Sequence, residues 1–194
     1  MDYRTRLAAS RFWVITCRNL AGYREHHEIA ALAIEGGADA VVMRENSFEE
    51  EEFIEEALKC QEACDKDNVP FLVCDQVNAA FIGRLAGLCL LNELGQVVVA
   101  RKLLGEAAVI AVRANHAEQA AKASGLGADY LIVRPENIKE VSEKSPLPII
   151  ASGGVNANNV RETLEKGAAK ILVCRAAMDK KGIKEACARI KKAI

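Results

Sequence analysis

The feature that most restricts the fold is an alternation sustained along the whole chain. Short β-branched runs stand at 12–17, 40–44, 71–75, 87–91, 107–113, 130–134, 148–152 and 171–175. Stretches with helical patterning lie between and after them, near 26–36, 47–66, 77–85, 95–104, 116–126, 136–144, 157–166 and 180–193. The result is eight strand–helix units of about 24 residues each, close to the smallest unit that holds a strand, a helix and two turns. The runs are apolar on both faces, which requires a parallel sheet covered by helices.

Eight such units can close into a barrel, which abolishes the sheet edges. An open doubly wound sheet is the rival, but it favours a Gly-rich turn after its first strand, and Thr16-Cys17-Arg18-Asn19 is not one. Gly37-Ala38-Asp39, Gly127-Ala128-Asp129 and Gly167-Ala168-Ala169 each close a helix and open a strand, with glycine suited to the left-handed cap. The expected fold class is α/β, a single (β/α)8 TIM barrel with residues 1–194 as one domain.

Composition narrows the function classes. At 51% apolar the chain can build a core, which excludes disorder. The 26 basic and 27 acidic side chains nearly cancel, so the basic surplus of a nucleic-acid binder is missing. The longest apolar run, 85–91, is far short of the roughly 20 residues that span a bilayer. No export signal follows Met1-Asp2-Tyr3-Arg4, so the seven cysteines are expected to be free thiols in a cytoplasmic protein. A homo-oligomer is compatible with all of this.

In a barrel the chemistry gathers at the C-terminal strand ends. Ser152-Gly153-Gly154-Val155-Asn156 follows the seventh strand, where barrels often hold phosphate, and is expected to open a helix with unpaired N–H groups. A tight structural turn is the plainer alternative. Arg44, Arg113, Arg134 and Arg175 fall at the ends of strands two, five, six and eight. Facing one mouth they would repel unless an anion sat among them, with Asp75 and Glu93 as partial compensation. The expected partner is therefore a phosphorylated or carboxylated small molecule; outward-turned, carboxylate-paired arginines are the alternative.

Cys17, Cys74, Cys89 and Cys174 also fall at strand ends, but no Cys-x-x-Cys spacing supports a metal site, and small buried core residues are expected. Cys60 and Cys64 share one helix face, and the acidic run 49–52 suits a helix first turn. His26 and His27 are expected to be solvated at the start of a helix. His116, in the loop after strand five, is the expected acid or base titrating near neutral pH.

Several segments then point to one family. Phe12-Trp13-Val14-Ile15-Thr16, Gly36-Gly37-Ala38-Asp39-Ala40-Val41-Val42-Met43-Arg44-Glu45-Asn46, Val73-Cys74-Asp75-Gln76 and Pro148-Ile149-Ile150-Ala151-Ser152-Gly153-Gly154-Val155 resemble thiamine phosphate synthases. Over 12–178 the chain resembles the thiamine phosphate synthase and TenI (thiazole tautomerase) superfamily as a divergent member. The resemblance implies a barrel enzyme that joins a pyrimidine pyrophosphate to a thiazole phosphate, with magnesium on the leaving group.

It carries over only in part. Of a second-strand Gln-x-Arg-x-Lys motif, at Val42, Arg44 and Asn46, only the arginine matches. Of a third-strand Asn-Asp-Arg motif, at Cys74, Asp75 and Gln76, only the metal-binding aspartate matches. The second metal carboxylate falls on Leu94, with Glu93 beside it as a substitute, and the fourth-strand histidine is Cys89, a candidate nucleophile or acid–base thiol. The Ser-Thr-His run becomes Arg113, Ala114 and Asn115 with His116 one position later, a Thr-x-Thr-Lys loop after strand six is missing, and Arg175 replaces a serine.

Three readings stay open: a synthase-like transferase with Asp75 and Glu93 on magnesium; a metal-free tautomerase or isomerase using His116 or Cys89; and a non-catalytic barrel that keeps an anion pocket of Arg113, Arg134, Ser152, Gly153, Gly154 and Arg175. Arg44 and Asp75 are the polar strand-end positions expected to matter most for a synthase.

Overall fold

A computed structural model describes residues 2–179 and 182–194. Helix α1 (Tyr3–Ala9) precedes the repeating part. Then come β1 (Phe12–Thr16), α2 (His26–Glu35), β2 (Ala40–Met43), α3 (Glu50–Lys66), β3 (Phe71–Cys74) and α4 (Val77–Ile82). The second half runs β4 (Gly87–Leu90), α5 (Gln96–Leu104), β5 (Val109–Arg113), α6 (Ala117–Leu126), β6 (Tyr130–Val133) and α7 (Ile138–Ser142). It ends with β7 (Ile149–Ser152), α8 (Val160–Glu165), β8 (Lys170–Val173) and α9 (Ile183–Ala193). Of the last expected helix, positions 180 and 181 lie outside the described residues.

Every strand pairs in parallel with the next, and β8 returns to β1, so the sheet is a closed (β/α)8 barrel. The period-two geometry of a strand explains the apolar runs. Trp13, Ile15, Val42, Leu72, Ala111, Tyr130, Ile132, Ile150 and Leu172 fill the barrel interior. Their neighbours Phe12, Val14, Val41, Phe71, Ile110, Leu131, Ile149 and Ile171 pack outward under the helices. Both faces are buried, so both must be apolar.

The junction repeats also have a cause. Gly37, Gly127 and Gly167 take φ of +91°, +96° and +108°, where other residues are strained. After Gly37 and Gly127, the aspartate two positions on serves the preceding strand. Asp39 accepts from the N–H groups of Arg11 and Phe12 at 3.0 and 2.9 Å, and Asp129 accepts from Ile110 N–H at 2.8 Å.

Helix α1 was not expected, and it closes the bottom of the barrel. Leu7 is buried with the interior residues, and Trp13 Nε1 donates to Ser10 Oγ at 2.6 Å. Lys170, at the start of β8, donates from Nζ to the carbonyls of Ala8 and Ser10 at 2.8 and 2.7 Å, and lies 5.1 Å from the Tyr130 ring centre. A buried ammonium thus satisfies carbonyls that the end of α1 leaves over. Among the described residues, no helix is long and apolar enough to cross a membrane.

Candidate functional site at the barrel mouth

Strand parity decides which strand-end side chains face the mouth. Arg44 continues the inward series of Ala40 and Val42, Arg113 that of Val109 and Ala111, Arg134 that of Tyr130 and Ile132, and Ser152 that of Ile150. Arg44 lines a cavity with Thr16, Cys17, Glu45 and Cys174 at the ends of β1, β2 and β8. Among the described residues, Arg44, Arg113 and Arg175 have no carboxylate partner, while Arg134 meets Glu136 only at 3.7 Å, both exposed.

Two hollows adjoin Arg113, Arg134 and Arg175. One, of about 500 Å³, is lined by Arg113, His116, Arg134, Asn137 and Ser152 among others. His116 is exposed there as the residue before α6. The other, of about 490 Å³, lies between the Gly153-Gly154 turn and Arg175. Gly153 and Gly154 take φ of +106° and +73°, and among the described residues neither N–H has a hydrogen-bond acceptor. Asn156 and Asn159 each donate from Nδ2 to the Gly154 carbonyl at 3.0 Å, fixing the turn. Helix α8 starts only at Val160, so the turn does not lead straight into a helix as expected. Its donors are its own backbone groups.

Asp75 sits at φ +58° after β3. Its Oδ1 accepts from Leu91 N–H at 2.7 Å and its Oδ2 from Asn92 Nδ2 at 2.8 Å, so the carboxylate braces the β4–α5 loop. Glu93 is exposed and accepts from Gln96 at 3.0 Å. Among the described residues, no three His, Cys, Asp or Glu side chains form a group able to hold a metal ion. Asp75 turns both oxygens to the β4–α5 loop, Glu93 bonds Gln96, and among the described residues no third ligand joins them, so the pair does not form a magnesium cradle. Cys89 pairs in register with Cys74 and is fully buried, and burial, with Asp75 nearby, pushes its thiol well up. A buried, protonated thiol does not fit the expected nucleophile or acid–base role.

A polar chain escaped the sequence reading. His26 was expected to be solvated, yet it is fully buried, with Nδ1 2.6 Å from Thr16 Oγ1 and Nε2 3.3 Å from Glu45 Oε2. Burial lowers its pKa, although Glu45 works in the opposite direction. Burial alone would raise the Glu45 carboxyl, but hydrogen bonds from Ser47, Asn46 and His26 bring it down to about 2. An ionised Glu45 accepts a hydrogen bond from Nε2–H, leaving Nδ1 to accept from the Thr16 hydroxyl. Glu45 directly follows Arg44, so the chain pins the end of β2. His27 bonds Glu56 at 2.9 Å.

A closed parallel barrel with arginines, a glycine turn and two hollows at its strand C-terminal ends defines the class of (β/α)8 enzymes with a charged mouth. Its relatives specify more. A profile described as thiamine monophosphate synthase matches residues 12–135. Thiamine-phosphate synthase from Clostridium tetani is 30% identical over 190 residues, covering 90% of this chain and 91% of that protein. The Coprothermobacter proteolyticus protein of the same name is 30% identical over 199 residues, covering 95% and 94%. Thiamine phosphate pyrophosphorylase from Pyrococcus furiosus superposes with a TM-score of 0.87 at 27% identity, covering 97% and 96%. A 3-hexulose-6-phosphate synthase, at 14% identity and a TM-score of 0.75, shares the fold alone. The chain belongs to the thiamine monophosphate synthase family.

Proposed function

We propose that this synthase-like barrel enzyme binds a phosphorylated heterocycle at its mouth, held by Arg44, Arg113 and Arg175 and by the N–H groups of Gly153 and Gly154. The observation that carries the reading is three strand-end arginines without carboxylate partners among the described residues, one of them, Arg175, beside backbone donors without acceptors. Forked guanidinium groups and backbone N–H groups are strong phosphate ligands. The proposed chemistry joins a pyrimidine pyrophosphate to a thiazole phosphate, the C–N bond forming as pyrophosphate leaves. The arginines supply charge compensation for the departing anion. Because Asp75 and Glu93 do not fit magnesium, no step is assigned to the metal.

A metal-free tautomerase is the second reading, favoured by His116 on the wall of the hollow that Arg113 and Arg134 share. Free thiols at all seven cysteines support a cytoplasmic setting, and exposed Phe81, Ile82, Val98 and Val99 support self-association through α4 and α5. The deciding experiment assays turnover of pyrimidine pyrophosphate with thiazole phosphate, and of the thiazole alone, with magnesium or a chelator. Coupled product in the first assay supports the synthase, and turnover of the thiazole alone supports the tautomerase. Absence of both leaves the chain a non-catalytic anion binder and rejects the proposal as an enzyme.

A further inference from the structure

The structure divides the seven free thiols in two. Cys60, Cys64, Cys74, Cys89 and Cys187 are buried, whereas Cys17 and Cys174 are each partly exposed. Cys17 lies just beyond β1 and Cys174 just beyond β8, and these are neighbouring strands. Both line one cavity of about 330 Å³ beside Arg44, and Cys174 also borders the hollow of the glycine turn next to Arg175. Cys174 packs against both the barrel interior and the layer under the helices, and Cys17 against the latter. Two partly exposed thiols on neighbouring strand ends share one cavity beside a cation, the setting of a reactive pair.

We propose that Cys17 and Cys174 are a redox-active dithiol, a modification site for small disulfides, whose oxidation closes the barrel mouth to anions. The closure rests on the anion pocket proposed above; the dithiol does not. Ionised Cys17 attacks one sulfur of the small disulfide, forming a mixed disulfide and expelling a thiolate. That thiolate takes the proton of Cys174, whose sulfur then attacks Cys17 Sγ and expels the second small thiolate, which picks up the proton Cys17 gave up. The two cysteines lose two electrons and one small disulfide becomes two thiols. The order follows from the environment of Cys174, whose thiol burial and the adjacent Cys17 push up to about 12, so it serves as the resolving partner. The new bond ties the β1–α2 loop to the end of β8, across the space between Arg44 and Arg175.

The test incubates the native protein with oxidised glutathione, alkylates the remaining thiols after unfolding and identifies linked peptides by mass spectrometry. A Cys17–Cys174 peptide with the other five cysteines alkylated is the expected result. Cys174→Ser should retain glutathione on Cys17, and Cys17→Ser should take up none. Inorganic phosphate is then titrated into reduced, oxidised and re-reduced protein, and oxidation should weaken binding by about tenfold, restored on reduction. Absence of the linked peptide, or glutathione on the buried cysteines instead, overturns the dithiol. An intact link with unchanged phosphate binding overturns the closure. Reduced protein that does not bind phosphate rejects the anion pocket and the closure with it, while the linked peptide still decides the dithiol.

Discussion

Gly153 shows how much one residue controls at the mouth. Its φ of +106° strains any side chain, and an added Cβ would stand 3.6 Å from Arg134 Cγ. Gly153→Val should therefore cost about 1–3 kcal/mol of stability, read by denaturant unfolding, and weaken phosphate binding more than the loss of fold accounts for. Asp75 makes a different prediction. Because its oxygens hold Leu91 N–H and the Asn92 amide, Asp75→Asn should loosen the β4–α5 loop and lower activity equally with magnesium or a chelator. A loss confined to magnesium-containing assays would show that the carboxylate holds the metal instead. The arginines and glycines of the mouth were legible because strand ends are the first charged residues after an apolar run. The bonds of Asp75 were not, since its partners lie 16 and 17 residues away on another loop.

Among the elements, the junction of β1, β2 and α2 carries the clearest pH signature. The fold lowers the pKa of His26, so at acid pH the unfolded chain binds a proton that the buried ring resists. Stability is then full above the ordinary histidine pKa of about 6.5 and falls as pH drops below it. Glu45 acts in a lower window, its contribution being present above the ordinary carboxylate range and lost as pH falls toward about 2. Thermal unfolding between pH 7 and 5 should show the His26 slope in the wild type and a flatter one in His26→Gln. An equal slope in both would assign it elsewhere. Strand and helix positions were readable to within a few residues, because alternation and glycine caps are local signals. The pairing of His26 was not, as a histidine in a helix first turn reads as solvated until a neighbouring strand puts Thr16 and Glu45 against it.

For the whole molecule, closure needs both ends of the barrel managed. The bottom is filled by α1, which sequence reading passed over because Tyr3–Ala9 offers one large aliphatic side chain, Leu7, among polar neighbours. Leu7 is nonetheless fully buried against the barrel interior. Leu7→Ala should cost about 2–5 kcal/mol in denaturant unfolding, with ligand binding at the far end unchanged under folding conditions. A cost near zero would mean that α1 is not a structural plug. The top remains open and polar, and the division between a sealed base and a reactive rim is what lets strand-end residues diverge without loss of fold.

The central claim is that the mouth arginines hold an anion, and isothermal titration with inorganic phosphate and with thiazole phosphate tests it most directly. Wild-type protein should bind at one site, and Arg44→Ala and Arg113→Ala should each lose about tenfold to hundredfold in affinity, the range expected for one charged hydrogen-bonding group, with unfolding midpoints unchanged. Binding of equal strength in the wild type and both variants, or no binding by the folded wild type, would contradict the account.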